Sequence, residues 1–188
     1  ITTAMDEKEF FSLVTLLHSK IGDGHTMILP GEVTIEYNNS KGKFLPFTLA
    51  YIKDRLYIVE NNSSDTSIER GEEIVSINGE SSSAVISQLM KRFIRDGYNQ
   101  TYPVWILNHY FAAYYSYACG QPSQFVLELQ NNVKKNISAL TKDSIKFFRQ
   151  MRYPVAANPG IHLEIDKNET GILTIKSFDA DLLPDYKK

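Results

Sequence analysis

The sequence predicts an α+β fold, and three observations carry that expectation. Apolar residues recur at three- and four-residue spacing in separate stretches, which is helical periodicity. Short apolar runs bounded by turn residues such as Lys53-Asp54-Arg55 and Asn78-Gly79 read as strands. A long aromatic stretch from about Pro103 to Cys119 reads as one more helix.

Taken in order, Asp6 to Lys20 is the first helix. Phe10, Leu13, Val14, Leu17 and Ile21 recur at helical spacing. Asp6 caps its start with Glu9 three residues on, and Gly22 and Gly24 stop it. Thr26 to Tyr37 reads as extended, with Val33, Ile35 and Tyr37 on one face and Glu32, Thr34 and Glu36 on the other. A turn follows at 38–43. Pro46–Ile52 and Leu56–Val59 read as strands, 61–67 as a loop, and Glu72–Ile77 as a strand closed by Asn78-Gly79. Both turn residues tolerate positive φ, which suits a two-residue connection.

Ser81, Ser82 and Ser83 can cap a helix that Val85, Ile86, Leu89, Met90 and Phe93 carry to about Ile94. The aromatic helix ends at Gly120, with Pro122 beyond. Its tyrosines and Trp105 read as core, because each buries a large area. Phe125–Leu129 alternates as a strand. Residues 141–150 read as a short helix with Ile145, Phe147 and Phe148 facing inward. Two strands close the chain, Ile161–Ile165 and Gly171–Phe178. The last is apolar along nearly its whole length and expects cover on both faces. Ten residues follow it, so the expectation is that the natural protein continues beyond Lys188.

Composition excludes several classes. The 188 residues suit one domain, or a small domain with flanking elements, and 43% hydrophobic content supports a real core. A net charge of −2 without a basic cluster argues against nucleic acid as a partner. One cysteine, Cys119, allows no internal disulfide and no CxxC site, and reads as a small buried hydrophobe. No run is long and apolar enough to cross a membrane; Trp105–Ala118 is interrupted by Asn108 and His109. No signal peptide is visible at Ile1. His18, His25, His109 and His162 are scattered, so neither a metal nor a cofactor is expected.

The most specific stretch is "RGEEIVSINGE", Arg70 to Glu80. It resembles the strand-turn of PDZ domains, in which Gly precedes a strand and Asn-Gly closes a tight turn. Its neighbours extend the likeness: a helix, "DGHT" at 23–26, "LPFTLAYIKDRLYIV" at 45–59, an amphipathic helix, then "GILTIKSF" at 171–178. In this order the chain resembles the N-terminal half of a C-terminal-processing/tricorn family serine peptidase of the bacterial secreted branch. The resemblance implies an N-terminal helical segment at 1–36 and a PDZ-like partly open barrel or sheet at 37–130 with a helical insertion at about 95–120. It further implies a connector with the first strands of an α/β catalytic core at 131–188.

What the resemblance implies for function follows. His25 matches the general base of the tricorn-like branch, taking a serine proton as the hydroxyl attacks a carbonyl. Another branch uses a downstream lysine, which would leave His25 as a turn residue. Asp23 either orients His25 or caps the turn. The family serine lies beyond the "ILTIKSF" strand, so Ser177 is not its equivalent. A polypeptide substrate would add as a strand along Phe47, Thr48, Leu49, Ala50 and Tyr51, with Ile86, Leu89 and Met90 as the opposite wall. "LPFTL" departs from the Gly-Leu-Gly-Phe carboxylate loop, which leaves recognition of a free C-terminus open. The implied setting is the periplasm, the exterior, or a lipoprotein of the outer membrane.

Overall fold

A computed structural model describes residues 4–154 and 161–175. The chain divides into two compact units, Ile1–Arg152 and Tyr153–Lys188. The fold is α+β, as the sequence predicts.

The first unit opens with α1, Glu7–His18. Asp6 accepts the Glu9 backbone N–H while the Glu9 carboxylate accepts that of Asp6, so the expected capping box forms. The buried face is not the expected one. Phe10, Leu13 and Leu17 are exposed, and Phe11, Thr15 and His18 turn inward. Phe11 rests on the ring of Tyr117, with centroids 4.8 Å apart.

Residues 26–31 have no regular structure, and α2, Glu32–Ser40, stands where a strand is expected. The alternation that suggests a strand is real, but Val33, Ile35 and Tyr37 are exposed. What α2 buries is a polar pair four residues apart, Thr34 and Asn38. Asn38 donates to the Tyr117 hydroxyl at 2.9 Å and accepts from Gln121 at 3.1 Å. Gly42 permits the chain to turn tightly here, since a Cβ would sit 2.8 Å from Asn38 Cα.

The sheet follows: β1, Lys43–Phe44; β2, Phe47–Ile52; β3, Arg55–Asn61; β4, Glu73–Ile77; and β5, Glu80–Ser81. Later come β6, Gln124–Leu129; β7, Val133–Ser138; and β8, Leu140–Thr141. The main sheet is antiparallel in the order β2-β3-β4-β6-β7, with β5 paired to β4. β7 is not anticipated by the sequence. As an edge strand it buries only Ile137 and carries Lys134 and Lys135, a common way to blunt an edge.

Two helices cover one face of the sheet. α3, Ser82–Met90, is capped by Ser81 and buries Val85, Ile86 and Leu89. It ends four residues short of the expected Ile94, although Phe93 and Ile94 remain buried. α4, Thr101–Ala118, buries Ile106, Leu107, Phe111 and Tyr115. Together they close a core over Leu49, Ile58, Ile74, Ile77, Phe125 and Leu127. Val75 and Val126 on the outer face stay exposed, the one-sided pattern expected of an antiparallel sheet.

α4 is kinked at Tyr110, where φ is −129° and ψ 19°. His109 Nδ1 lies 2.7 Å from the Trp105 carbonyl one turn back. Because a carbonyl can only accept, this nitrogen carries the proton, and a side chain intrudes on the helix ladder at the bend.

α5, Lys142–Arg152, follows β8, which pairs with β1. Ile145 and Phe148 are half-buried, whereas Phe147 is exposed rather than inward. In the second unit, β9, Ile161–Ile165, and β10, Gly171–Ile175, form an antiparallel hairpin. Leu163, Ile165 and Leu173 are exposed in it. Residues 176–178 of the expected last strand, Ser177 included, lie outside the described residues.

The Asn78-Gly79 turn is tied both to the neighbouring strand and to α4. Both residues have positive φ, 53° and 84°. Asn78 N–H donates to the Val126 carbonyl, and Val126 N–H donates to Asn78 Oδ1, both at 2.8 Å. Its Nδ2 reaches the Tyr115 hydroxyl on α4 at 3.2 Å. Asn78→Ala loses both side-chain bonds and adds left-handed strain, a cost of about 2 kcal/mol in urea unfolding. Asn78→Gly relieves the strain and costs about half as much. Equal losses in the two variants would mean that the backbone angle contributes nothing.

Candidate functional site

Among the described residues β2 is an edge strand, paired in the sheet with β3 alone. Its free side is met by α4, where Asn108 Oδ1 accepts the Tyr51 backbone N–H at 2.7 Å. A bulge interrupts its pairing between Thr48 and Leu49. Beside the bulge opens a groove of about 370 Å³. Phe44, Phe47, Thr48 and Leu49 form one side, and Tyr110 and Ala113 on α4 form another. Ile145, Lys146 and Arg149 on α5 complete it.

The groove is apolar at its base and basic along α5. Arg149 pairs with Glu60 at 2.9 Å. Lys142 donates to Asn39 at 2.6 Å and stands over the Phe44 ring. Thr48 donates to Glu60 at 2.7 Å. Asn62, 2% exposed, contributes a buried amide oxygen with no hydrogen-bond partner. Such an acceptor is costly unless a donor reaches it.

Of the sequence-predicted peptide contacts, Phe47, Thr48 and Leu49 line this groove. Ala50 lines a shallower hollow with Ile52 and Tyr57 instead. The Tyr51 hydroxyl is held by Asp54 at 2.5 Å. Ile86 and Leu89 lie in the core, and Met90 packs against it; the groove does not include them. Helix α4 packs on both β2 and α3, so the wall facing β2 belongs to α4 and α5. Sequence reasoning missed Ile145, Lys146 and Arg149. They lie about a hundred residues from β2, and no local pattern reports such a neighbour.

His25 sits elsewhere, in a turn built by carboxylates. Its backbone N–H donates to Asp23 Oδ1 at 2.9 Å, and Thr26 Oγ1 donates to Asp23 Oδ2 at 2.5 Å. Those bonds, the Thr26 hydroxyl foremost, hold the Asp23 carboxyl below its ordinary range. Gly24 N–H donates to Asp96 Oδ1 at 2.7 Å, and a Cβ on Gly24 would meet that carboxylate at 2.9 Å. This is an Asx-type turn.

The His25 side chain is 93% exposed, and its Nδ1 is 3.6 Å from Asp23, beyond hydrogen-bond range. Asp23, His25 and Asp96 bring one ligand atom each within 4.8 Å of one another, the one such grouping among the described residues. All three are exposed, and nothing else at the turn points to an ion.

No family model matches the chain. No curated protein matches it either. The chain is similar to a crystal structure of a point mutant of CPAF, a chlamydial serine protease, with a TM-score of 0.45 and 11% identity. The match covers 92% of this chain and 39% of that one, so the chain spans about two fifths of its length.

Proposed function

We propose that this chain binds an extended polypeptide segment along β2, as the substrate-handling part of a serine endopeptidase acting on exported polypeptides. The observation that carries this reading is the groove on the free side of an edge strand, walled by α4 and α5. An extended peptide supplies alternating backbone donors and side chains, and edge grooves take both. The unpartnered Asn62 oxygen suits a backbone N–H, and the apolar base between Phe44 and Ile145 suits one side chain. The order of "DGHT", "RGEEIVSINGE" and "GILTIKSF" supports the peptidase setting and a PDZ-like role for the sheet. His25 is the base in this reading, its serine and acid partners lying outside the described residues.

A second reading is favoured by one observation. The ring of His25 is exposed, and its turn is bonded to Asp23, Thr26 and Asp96, none of them an activated nucleophile. A peptide-binding module without catalysis would look the same. A His25→Ala variant of the full-length natural protein separates the two. The endopeptidase reading expects a loss of about 10²- to 10⁴-fold in peptidase rate, the usual size of a general-base contribution. An unchanged rate would remove His25 from the mechanism.

Peptide capture is tested on the chain itself, with a labelled unstructured casein peptide followed by fluorescence anisotropy. Ala113→Trp fills the groove from α4, and Ile145→Glu makes its base polar. Each is expected to weaken binding about tenfold or more, while Val126→Thr on the exposed sheet face leaves it unchanged. Equal binding by all three variants, with unfolding midpoints near that of the parent, would place the peptide elsewhere.

A further inference from the structure

We propose that the cleft between α1 and α4 binds a small carboxylic acid with an aromatic body. The cleft is separate from the β2 groove, though Tyr110 borders both. Its volume is about 370 Å³, within the range of small-ligand sites. Tyr102, Trp105, Tyr110 and Tyr114 form one wall. Tyr102 and Trp105 stack with centroids 5.7 Å apart, and Tyr110 meets Trp105 edge-on at 5.7 Å. His109 stacks on Trp105 as well, at 4.5 Å, so a flat apolar body would lie against the exposed edges of this ring cluster rather than between its members. Met27 and Leu29 form part of the lining from the irregular 26–31 segment, and both are exposed.

Two buried nitrogens on residues of the cleft lack partners. His18 is 5% exposed, yet its Nε2 has no hydrogen-bond partner. Arg92 donates from Nη1 to the Gln88 carbonyl at 2.7 Å and from Nη2 to Ser12 Oγ at 3.3 Å, which leaves its buried Nε–H without an acceptor. Among the described residues no carboxylate pairs with this guanidinium. Burial pushes its pKa down, the mark of a cation short of a counter-charge. With its ring proton on Nε2, His18 supplies a second donor beside the Arg92 Nε–H, and two such donors with a positive charge that no carboxylate pairs call for an anion with two acceptor oxygens. A carboxylate on an aromatic body meets both demands, and a neutral analogue meets only one.

The chain holds a single tryptophan, Trp105, so its emission reports the cleft directly. Titration with 4-phenylbutyrate is expected to change that emission saturably. The midpoint should lie about tenfold or more below that of 4-phenylbutanamide, which has the same body without the charge. Arg92→Gln is expected to abolish the difference between acid and amide. Leu29→Asp changes an exposed residue at little risk to folding, and is expected to weaken the acid more than the amide. A peptide ending in phenylalanine, with free and with amidated terminus, tells a chain end from a free acid as the source of the carboxylate. Equal midpoints for acid and amide in the parent protein, or an emission that stays flat into the millimolar range, would overturn the proposal. So would unchanged acid binding in a folded Leu29→Asp variant.

Discussion

The packing of α4 on the sheet is the constraint on which the rest of the structure depends. Ile106, Leu107, Phe111 and Tyr115 complete a core that α3 and the strands leave open. Burying side chains of this size is worth roughly 1.5–3 kcal/mol each against exposure. The same helix takes the Tyr51 backbone N–H through Asn108 and reaches the Asn78 turn through Tyr115. It therefore sets where the sheet edge can be approached and where it cannot.

That placement divides the surface around one helix. The α3 residues that could have faced β2 are consumed as core under α4. The free side of β2 instead faces the middle of α4 and the basic stripe of α5. On another side, α4 presents Tyr102, Trp105, Tyr110 and Tyr114 to the cleft that His18 of α1 and Arg92 also line. The kink at Tyr110, where His109 bonds back to Trp105, lies where these two hollows meet.

Much of the scaffold is legible in the sequence where a local interaction decides the backbone. The Asp6–Glu9 box, the Asn78-Gly79 turn and the Ser81 cap are each local hydrogen-bond or φ preferences, and each forms. Two other features depend on distant partners and are not legible. α2 is set by buried polar contacts from Asn38 to Tyr117 and Gln121, about eighty residues away, so its apolar alternation misleads. α1 turns Phe11 rather than Phe10 inward because Tyr117 lies against that side. For the candidate site, the strand can be read from the sequence but its opposite wall cannot. Phe47, Thr48 and Leu49 lie on the groove, while Ile145, Lys146 and Arg149 arrive through the pairing of β1 with β8.

The account's central claim is that polypeptide docks on the free side of β2 against α4 and α5. Amide hydrogen exchange of the chain with and without saturating peptide tests this most directly. The account predicts slowed exchange at Phe47–Leu49 and along Lys142–Arg149, with Ser82–Met90 unchanged. Protection confined to Ser82–Met90, or bound peptide with no protection at β2, would contradict it.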